Sequence, residues 1–351
     1  MLLPRPDLKR IILSFLTWRI LLLVLILIAP GFFSLRPQFL ATEPSDFVKN
    51  PLFWAHVNFD GDHYTRISQN GYGLLEEAFF PFYPLTISKL APYLSNDHPL
   101  AGLIISNLSF FLSLMVLFKL LRLDFPDSIT WPTFLWLLIF PVSFFFGSVY
   151  SESLFFLEVL LSFYFARTKR WWLAGLVGSL ATATRFVGIF LLPALAIEWW
   201  LQYKNQKSNL KNQILRVLPL LLIPLGLLLY MNYLNRVHQD PLRFIHIQKD
   251  YGQFRSDKII LLYQVFWRYA KMLVTVNRAD PLYWTIVLEA AVGALFLVTS
   301  IASFKLHRLS YAIFNLLAYL VPTLTGSFTG QIRYVLVCFP SFIVLSHFII
   351  N

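Results

Sequence analysis

The chain has 351 residues, of which 57% are hydrophobic, 17% aromatic and only 13% charged, with a mean hydropathy of +0.63. Soluble globular domains run nearer about 45–50% apolar and 25% charged, so this composition excludes an ordinary soluble domain and predicts an all-α polytopic membrane protein. A net charge of +11 would suggest nucleic acid in a soluble chain, but here Lys and Arg concentrate in short segments between apolar runs, where they signal topology, and no nucleic-acid partner is expected.

The first apolar run follows Lys9 and Arg10 and extends to about residue 33. It is longer than a signal-peptide core and lacks a small-residue cleavage site, so it reads as a retained span. Further apolar segments fall near residues 99–121, 129–147, 150–166, 171–184, 186–201, 214–234, 282–304, 309–325 and 332–350. They predict a bundle of about 9–10 helical segments in one membrane domain, 1–351, with outer loops at about 35–98 and 235–281 that carry short interfacial helices. The run 171–201 holds Arg185 in its middle. As one straight helix it would put Lys204, Lys207, Lys211 and Arg216 across the membrane from Arg167, Lys169 and Arg170, against the positive-inside rule. A helix broken around residues 182–188 that returns to its starting side keeps both basic loops in the cytoplasm, with the open backbone lining a cavity. The first outer loop carries seven acids (Glu43, Asp46, Asp60, Asp62, Glu76, Glu77, Asp97) against four bases. The second carries eight bases against four acids, a surface suited to an anionic lipid phosphate. The one cysteine, Cys338, excludes an intramolecular disulfide. No internal repeat or low-complexity tract is present.

Within the first outer loop, Asp60, His63 and Tyr64 share one face if a helix starts there. Asp60 reads equally well as that helix's N-cap. With Asp62 and His63 it also supplies two carboxylates and an imidazole, the parts for general-base activation of a hydroxyl. The following residues 79–84, FFPFYP, read as a rigid interfacial turn or as a plain aromatic belt. Glu152, Arg185, Arg333 and Arg19 lie inside apolar segments, where ionisable groups are costly. Glu152 suits either the first turn of its helix or a site. Arg185 suits either a phosphate or the carbonyls of a broken helix, and Arg333 either snorkels or binds. In the second outer loop Arg243, His246, Lys249 and Arg255 suit a phosphate headgroup or simply a solvated surface. Residues 259–276 read as an interfacial helix bearing Arg268 and Lys271.

Taken together, these blocks resemble the PIG-V-like mannosyltransferases, a family within the GT-C superfamily of multispan glycosyltransferases that includes the second GPI mannosyltransferase and bacterial relatives. The family's W/F-D-(A/G)-x-H/W-Y block and following I-A-x-x-G-Y look like Phe59, Asp60, Gly61, His63, Tyr64, Ile67, Ser68, Gly71 and Tyr72. Its FFP-x-YP block resembles residues 79–84, ending in Tyr83 and Pro84, and its Y-S-E-S-L-F block is complete from Tyr150 to Phe155. T-R-x-x-G resembles Thr184, Arg185 and Gly188; D-P-L-x-F-x-x-x-Q resembles Asp240, Pro241, Leu242, Phe244 and Gln248; the terminal R-Y-x-x-x-x-F-P resembles Arg333, Tyr334, Phe339 and Pro340. The resemblance runs from about 59 to 340 in order. It departs at Phe59, where Trp is common, and at Tyr251, where bacterial members often carry Trp.

The resemblance implies an inverting hexosyltransferase, by family default a mannosyltransferase. Its donor would be a polyprenyl- or dolichyl-phosphate sugar, and its acceptor a hydroxyl of a glycan, glycolipid or protein on the extracytoplasmic side. The membrane would be the cell membrane in a bacterium or the endoplasmic reticulum in a eukaryote. Asp60 is expected as base, with His63 orienting the acceptor or donor; Asp62, Tyr64, Tyr83, Glu152, Arg185, Arg243, Gln248, Arg333 and Tyr334 are expected to bind substrate. No cofactor or divalent metal is expected, although Asp60 with Asp62 could hold one. The competing reading is a transporter or flippase for a phosphate-bearing substrate, which would concentrate polar residues at mid-membrane in repeated halves.

Overall fold

Each of the ten apolar segments is largely helical over its described residues, because in a bilayer only a helix or closed barrel satisfies every backbone donor and acceptor. The computed structural model describes residues 4–32, 49–205, 215, 217–251, 256, 258–306 and 308–350. Among these the structure is all-α, without strands. The helices used below are α1 (Arg5–Ile28), α2 (Asp60–Asn70), α3 (Phe82–Leu90), α4 (His98–Leu121), α5 (Asp127–Ile139), α6 (Glu152–Arg167), α7 (Trp171–Thr184), α8 (Leu191–Tyr203), α9 (Leu225–His238), α10 (Leu262–Thr275), α11 (Pro281–Leu306), α12 (Leu309–Thr323) and α13 (Phe339–Ile350).

Among the described residues, five helical stretches are long and apolar enough to cross a membrane: Arg5–Gly31, His98–Leu121, Phe186–Tyr203, Leu218–His238 and Pro281–Leu306. A sixth forms if Gln331–Val337 and Phe339–Phe348, bent by 87°, count as one span. The other apolar segments are shorter helices of 13 to 16 residues, α5, α6, α7 and α12.

The expected broken pair is present. Arg185 is extended, at φ −155° and ψ 145°, between α7 and the short turn Phe186–Phe190. The chain then returns, since Trp171 Nε1 at the start of α7 donates to Tyr203 OH at the end of α8 at 3.1 Å, and Gln202 Nε2 donates to Ala166 O at 3.1 Å. Both open ends of the hairpin therefore share one end of the bundle, as the charge argument requires. Of the basic residues expected in the loop after α8, Lys207, Lys211 and Arg216 lie outside the described residues, as does Arg255 of the second outer loop.

Close packing holds the hairpin against α9. A Cβ on Gly175 would lie 2.0 Å from Pro219 O, and one on Gly226 would lie 2.0 Å from Ser179 O. Glycine lets these backbones touch where lipid offers no hydrophobic drive between helices. The core is aromatic. Phe110 stacks on Phe146 at 4.4 Å, and Phe163 meets Tyr311, Phe314 and Phe339 edge-on. Helix α1 buries only Ile11 and Trp18 and exposes Leu13, Ile20, Leu21, Leu25 and Leu27, the surface of a helix at the lipid boundary. Its Arg19 is structurally tied, to Gly147 O at 3.3 Å and His56 Nε2 at 3.1 Å. Helix α10 occupies the segment expected to be interfacial. It buries Val265 and Tyr269 and exposes Tyr263, Trp267 and Val274.

The end of the bundle that carries the α7–α8 openings is closed by a buried ion network. Arg167 pairs with Asp124 and lies 3.3 Å from Glu198 Oε1, while Arg308 Nη2 donates to the same oxygen at 3.0 Å. Glu198 is fully buried, and its Oε2 accepts from Ser310 Oγ at 2.7 Å and from Arg308 Nε at 3.2 Å.

Candidate active site

At the other end, the tip of the broken hairpin meets α2, the start of α6 and the short helix Gln331–Tyr334. Helix α2 begins from a strained backbone, since Phe59 sits at φ 57°, rare for a residue with a Cβ. The preceding turn is tied to the bundle by Val149 N donating to His56 O at 2.9 Å and Tyr150 OH donating to Asn58 O at 2.9 Å. Gly61 allows the close approach, because a Cβ there would be 3.3 Å from Val149 O. Phe59, without a capping side chain, is the N-cap. Asp60 is therefore the first helical residue, and its carboxylate is directed to another part of the chain.

That partner is Arg333, whose Nη1 donates to Asp60 Oδ2 at 2.5 Å across 273 residues of sequence. Arg333 Nε also lies 3.0 Å from Glu152 Oε1, an ion-pair contact off-line for a hydrogen bond. Arg185 Nη1 reaches the same Oε1 at 2.8 Å. The result is an alternating chain, Asp60–Arg333–Glu152–Arg185, with formal charges that cancel. Tyr334 lies between the two cations, its ring 5.1 Å from Arg185 and 5.3 Å from Arg333, within cation–π range. Glu152, Arg185, Arg333 and Tyr334 line a cavity of ≈ 20 Å³ together with Phe146 and Phe155. That is room for about one water, so a hexose enters only if ion pairs part.

Tyr64 stands behind this site without lining its cavity. Its hydroxyl is 2.8 Å from Ser151 Oγ, next to Glu152, and burial pushes that hydroxyl well above the usual tyrosine range. Tyr83, 4.9 Å from it ring to ring, does not line the cavity either. It is fully buried, with its hydroxyl bound to Ser106 Oγ at 2.7 Å and Gly102 O at 3.2 Å.

His63 and Asp62 fall into a neighbouring cluster. His63 Nδ1 is 3.0 Å from Glu76 Oε1, and its ring stacks on Phe79 at 4.8 Å. Arg66 bridges Asp62 at 3.3 Å and Glu76 at 3.4 Å, and burial holds the Asp62 carboxyl above its usual range against the opposing pull of Arg66. A third cluster joins the two outer loops: Glu77 Oε1 accepts from Arg243 Nε at 2.8 Å and lies 3.0 Å from His238 Nε2. Gln248 Nε2 donates to Phe244 O on the same loop at 3.1 Å. The structure thus brings Asp60, Tyr64, Glu152, Arg185, Arg333 and Tyr334 together, and places His63, Asp62, Arg243 and Gln248 in supporting clusters around them.

Sequence reasoning did not single out Glu76 and Glu77. These consecutive buried acids brace the first outer loop, one toward α2 and one toward the second loop. It also passed over Glu198, Glu158 and Glu289, although the rule that selected Glu152, an acid within an apolar run, applies to all three.

The chain matches the family model described as mannosyltransferase (PIG-V) over residues 8–231. No curated protein and no solved structure matches it. The matched region holds Asp60, Glu152 and Arg185, and the fold adds Arg333 to them from the remaining third of the chain. With more than half of its length matched, the chain belongs to the mannosyltransferase (PIG-V) family of membrane glycosyltransferases.

Proposed function

We propose that the protein transfers a hexose, mannose by family, from a polyprenyl-phosphate sugar to an acceptor hydroxyl with inversion, at the extracytoplasmic face of the membrane. The observation that carries this reading is the pairing of Asp60 with Arg333 beside Arg185 at a cavity: a carboxylate able to take a proton stands next to two guanidiniums able to hold a phosphate. The donor's phosphodiester is an anion, and it competes with Asp60 for Arg333. As Arg333 turns to the phosphate, Asp60 is released. Asp60 then takes the proton of the acceptor hydroxyl, the acceptor oxygen bonds to the anomeric carbon from the opposite face, and the bond from that carbon to the phosphate oxygen breaks. The departing polyprenyl phosphate carries one more negative charge than it did as a diester, and Arg333 and Arg185 stabilise it electrostatically. Protein cations serve the leaving group, so no metal enters this step.

Charge supports this side of the membrane. The connections at the far end of the bundle carry Arg122, Lys169, Arg170 and Lys204, beside Arg167 and Arg308, and short loops rich in Lys and Arg favour the cytoplasmic side. The amphipathic α10 would lie on the outer leaflet, its exposed Tyr263 and Trp267 among the lipids. The acceptor is a hydroxyl of a glycan, glycolipid or protein, and the inferred membrane is the cell membrane or the endoplasmic reticulum according to host. The test is transfer of radiolabelled hexose from polyprenyl-phosphate-mannose, beside polyprenyl-phosphate-glucose, into membrane acceptors by the purified protein and by Asp60→Asn. Transfer by the unmodified protein alone supports the reading. Equal transfer by both discards Asp60 as base, and transfer by neither discards the donor class.

A further inference from the structure

Glu152 and Glu198 are both buried carboxylates serving two arginines, yet they are used differently. Glu198 spends both oxygens. At Glu152, Arg185 and Arg333 converge on Oε1, while Oε2 is buried with no hydrogen-bond partner among the described residues. The side chain is only 4% exposed and lines the cavity. A charged acceptor buried without a partner is costly, and such an atom in a native structure needs an explanation.

An ionised carboxylate only accepts hydrogen bonds, so this oxygen is open to a donor, and the cavity beside it has room for about one water, which a ligand's hydroxyl would replace. The two guanidiniums on either side identify where the ligand's phosphate goes. In a glycosyl phosphate the phosphate is attached to the anomeric carbon, and the hydroxyl nearest to it is the one on the adjacent carbon, the 2-hydroxyl. We propose that Glu152 Oε2 accepts a hydrogen bond from the 2-hydroxyl of the transferred hexose, so that one side chain aligns the phosphate-binding arginines through Oε1 and reads the sugar through Oε2. This rests on the polyprenyl-phosphate hexose reading above. Hydrogen bonds to a 2-hydroxyl strengthen as positive charge develops at the anomeric carbon of a glycoside, so the contact contributes more to the transition state than to the bound donor and its loss falls mainly on kcat.

The experiment measures kcat and KM of the purified full-length protein and of Glu152→Gln with polyprenyl-phosphate-mannose and with its 2-deoxy and 4-deoxy analogues. The glutamine keeps the shape and one oxygen for the arginines but replaces the free acceptor by a donor. The unmodified protein is expected to lose about tenfold or more in kcat/KM on the 2-deoxy donor, chiefly in kcat, because a site built to bind a hydroxyl rejects the analogue that lacks it. On the 4-deoxy donor it should lose far less. Glu152→Gln should be slow with the parent donor and show no further loss with the 2-deoxy donor, the coupling expected when both changes remove one interaction. A 2-deoxy penalty of the same size in both proteins overturns the proposal. Should Glu152→Gln fail to fold, as its thermal midpoint would report, equal penalties for the 2-deoxy and 4-deoxy donors in the unmodified protein overturn it instead. Failure of the underlying reading is distinct, because it removes transfer from the parent donor itself.

Discussion

The two ends of the bundle are built from the same parts and differ in how completely those parts are satisfied. At one end Arg167, Arg308, Ser310 and Gln202 together occupy both oxygens of Glu198, and Tyr311 closes the network by bonding Arg167 and Asp124 at 2.8 and 3.1 Å. At the other, Arg185 and Arg333 crowd onto one oxygen of Glu152, and among the described residues the other oxygen has no partner and Asp60 is held only by a cation that a phosphate could claim. A buried carboxylate with both oxygens engaged fixes helices to one another, whereas one with an oxygen left over, next to a cavity, is open to a ligand. Burial and charge alone would not separate them.

The largest expected effect tests the open end. Asp60→Asn should lower kcat by on the order of 10³-fold, the range of a lost general base, while the thermal midpoint of the detergent-solubilised protein stays within a few degrees. A comparable loss of stability would move Asp60 to the structural side of the comparison. Next comes the closed end. Removing one partner of a buried ion pair costs about 3–5 kcal/mol, so Glu198→Ala should lower the thermal midpoint or abolish folded yield, with kcat/KM of the surviving protein little changed. If instead it silences transfer without loss of stability, the two ends are not distinct in kind.

A smaller effect sharpens the boundary of the site. Since His63 is engaged by Glu76 and Phe79, His63→Gln should cost less than the roughly 10²-fold expected of a group in the proton transfer. A loss as deep as that of Asp60→Asn, measured as kcat, would return His63 to the reacting centre. The smallest effect concerns His56, 3% exposed, whose pKa burial lowers to about 3, with Arg19 adding to the shift. Its neutral ring accepts from Arg19 at Nε2 and donates to Ser148 Oγ from Nδ1. The unfolded chain takes up a proton near the ordinary imidazole value of about 6.5 and the folded chain does not, so stability falls as pH drops below that value, by about 1 kcal/mol per pH unit. The fall should be shallower in His56→Gln when thermal midpoints are compared at pH 7, 6 and 5; equal slopes would mean that the folded protein also protonates His56.

How much of this was legible in the sequence follows from the range over which each interaction acts. The apolar segments, the break at Arg185 and the return of the hairpin were readable because they depend on local composition and on the placement of charges in short loops. The residues that meet at the candidate site stood out as well, Asp60 from its block and Glu152, Arg185 and Arg333 as ionisable groups where such groups are costly. Their partnerships were not. Whether Asp60 capped α2 or reached across the molecule was open on local grounds, and a backbone turn at Phe59 decided it. His63 lies one turn from Asp60 on the same helix, yet Glu76 draws it away. Tyr83, in a motif beside the site, turned inward because Ser106 and Gly102 offered a buried hydroxyl its partners.

The sequence by itself determined a helical membrane protein with a broken hairpin and a small set of ionisable residues too costly to be incidental. Only the tertiary structure decided which of these residues meet, because a contact such as Asp60 with Arg333 spans 273 positions and depends on how every intervening helix packs. Saturation is likewise a tertiary property: a carboxylate has two oxygens in any sequence, and only the fold leaves Oε2 of Glu152 without a partner while filling both oxygens of Glu198.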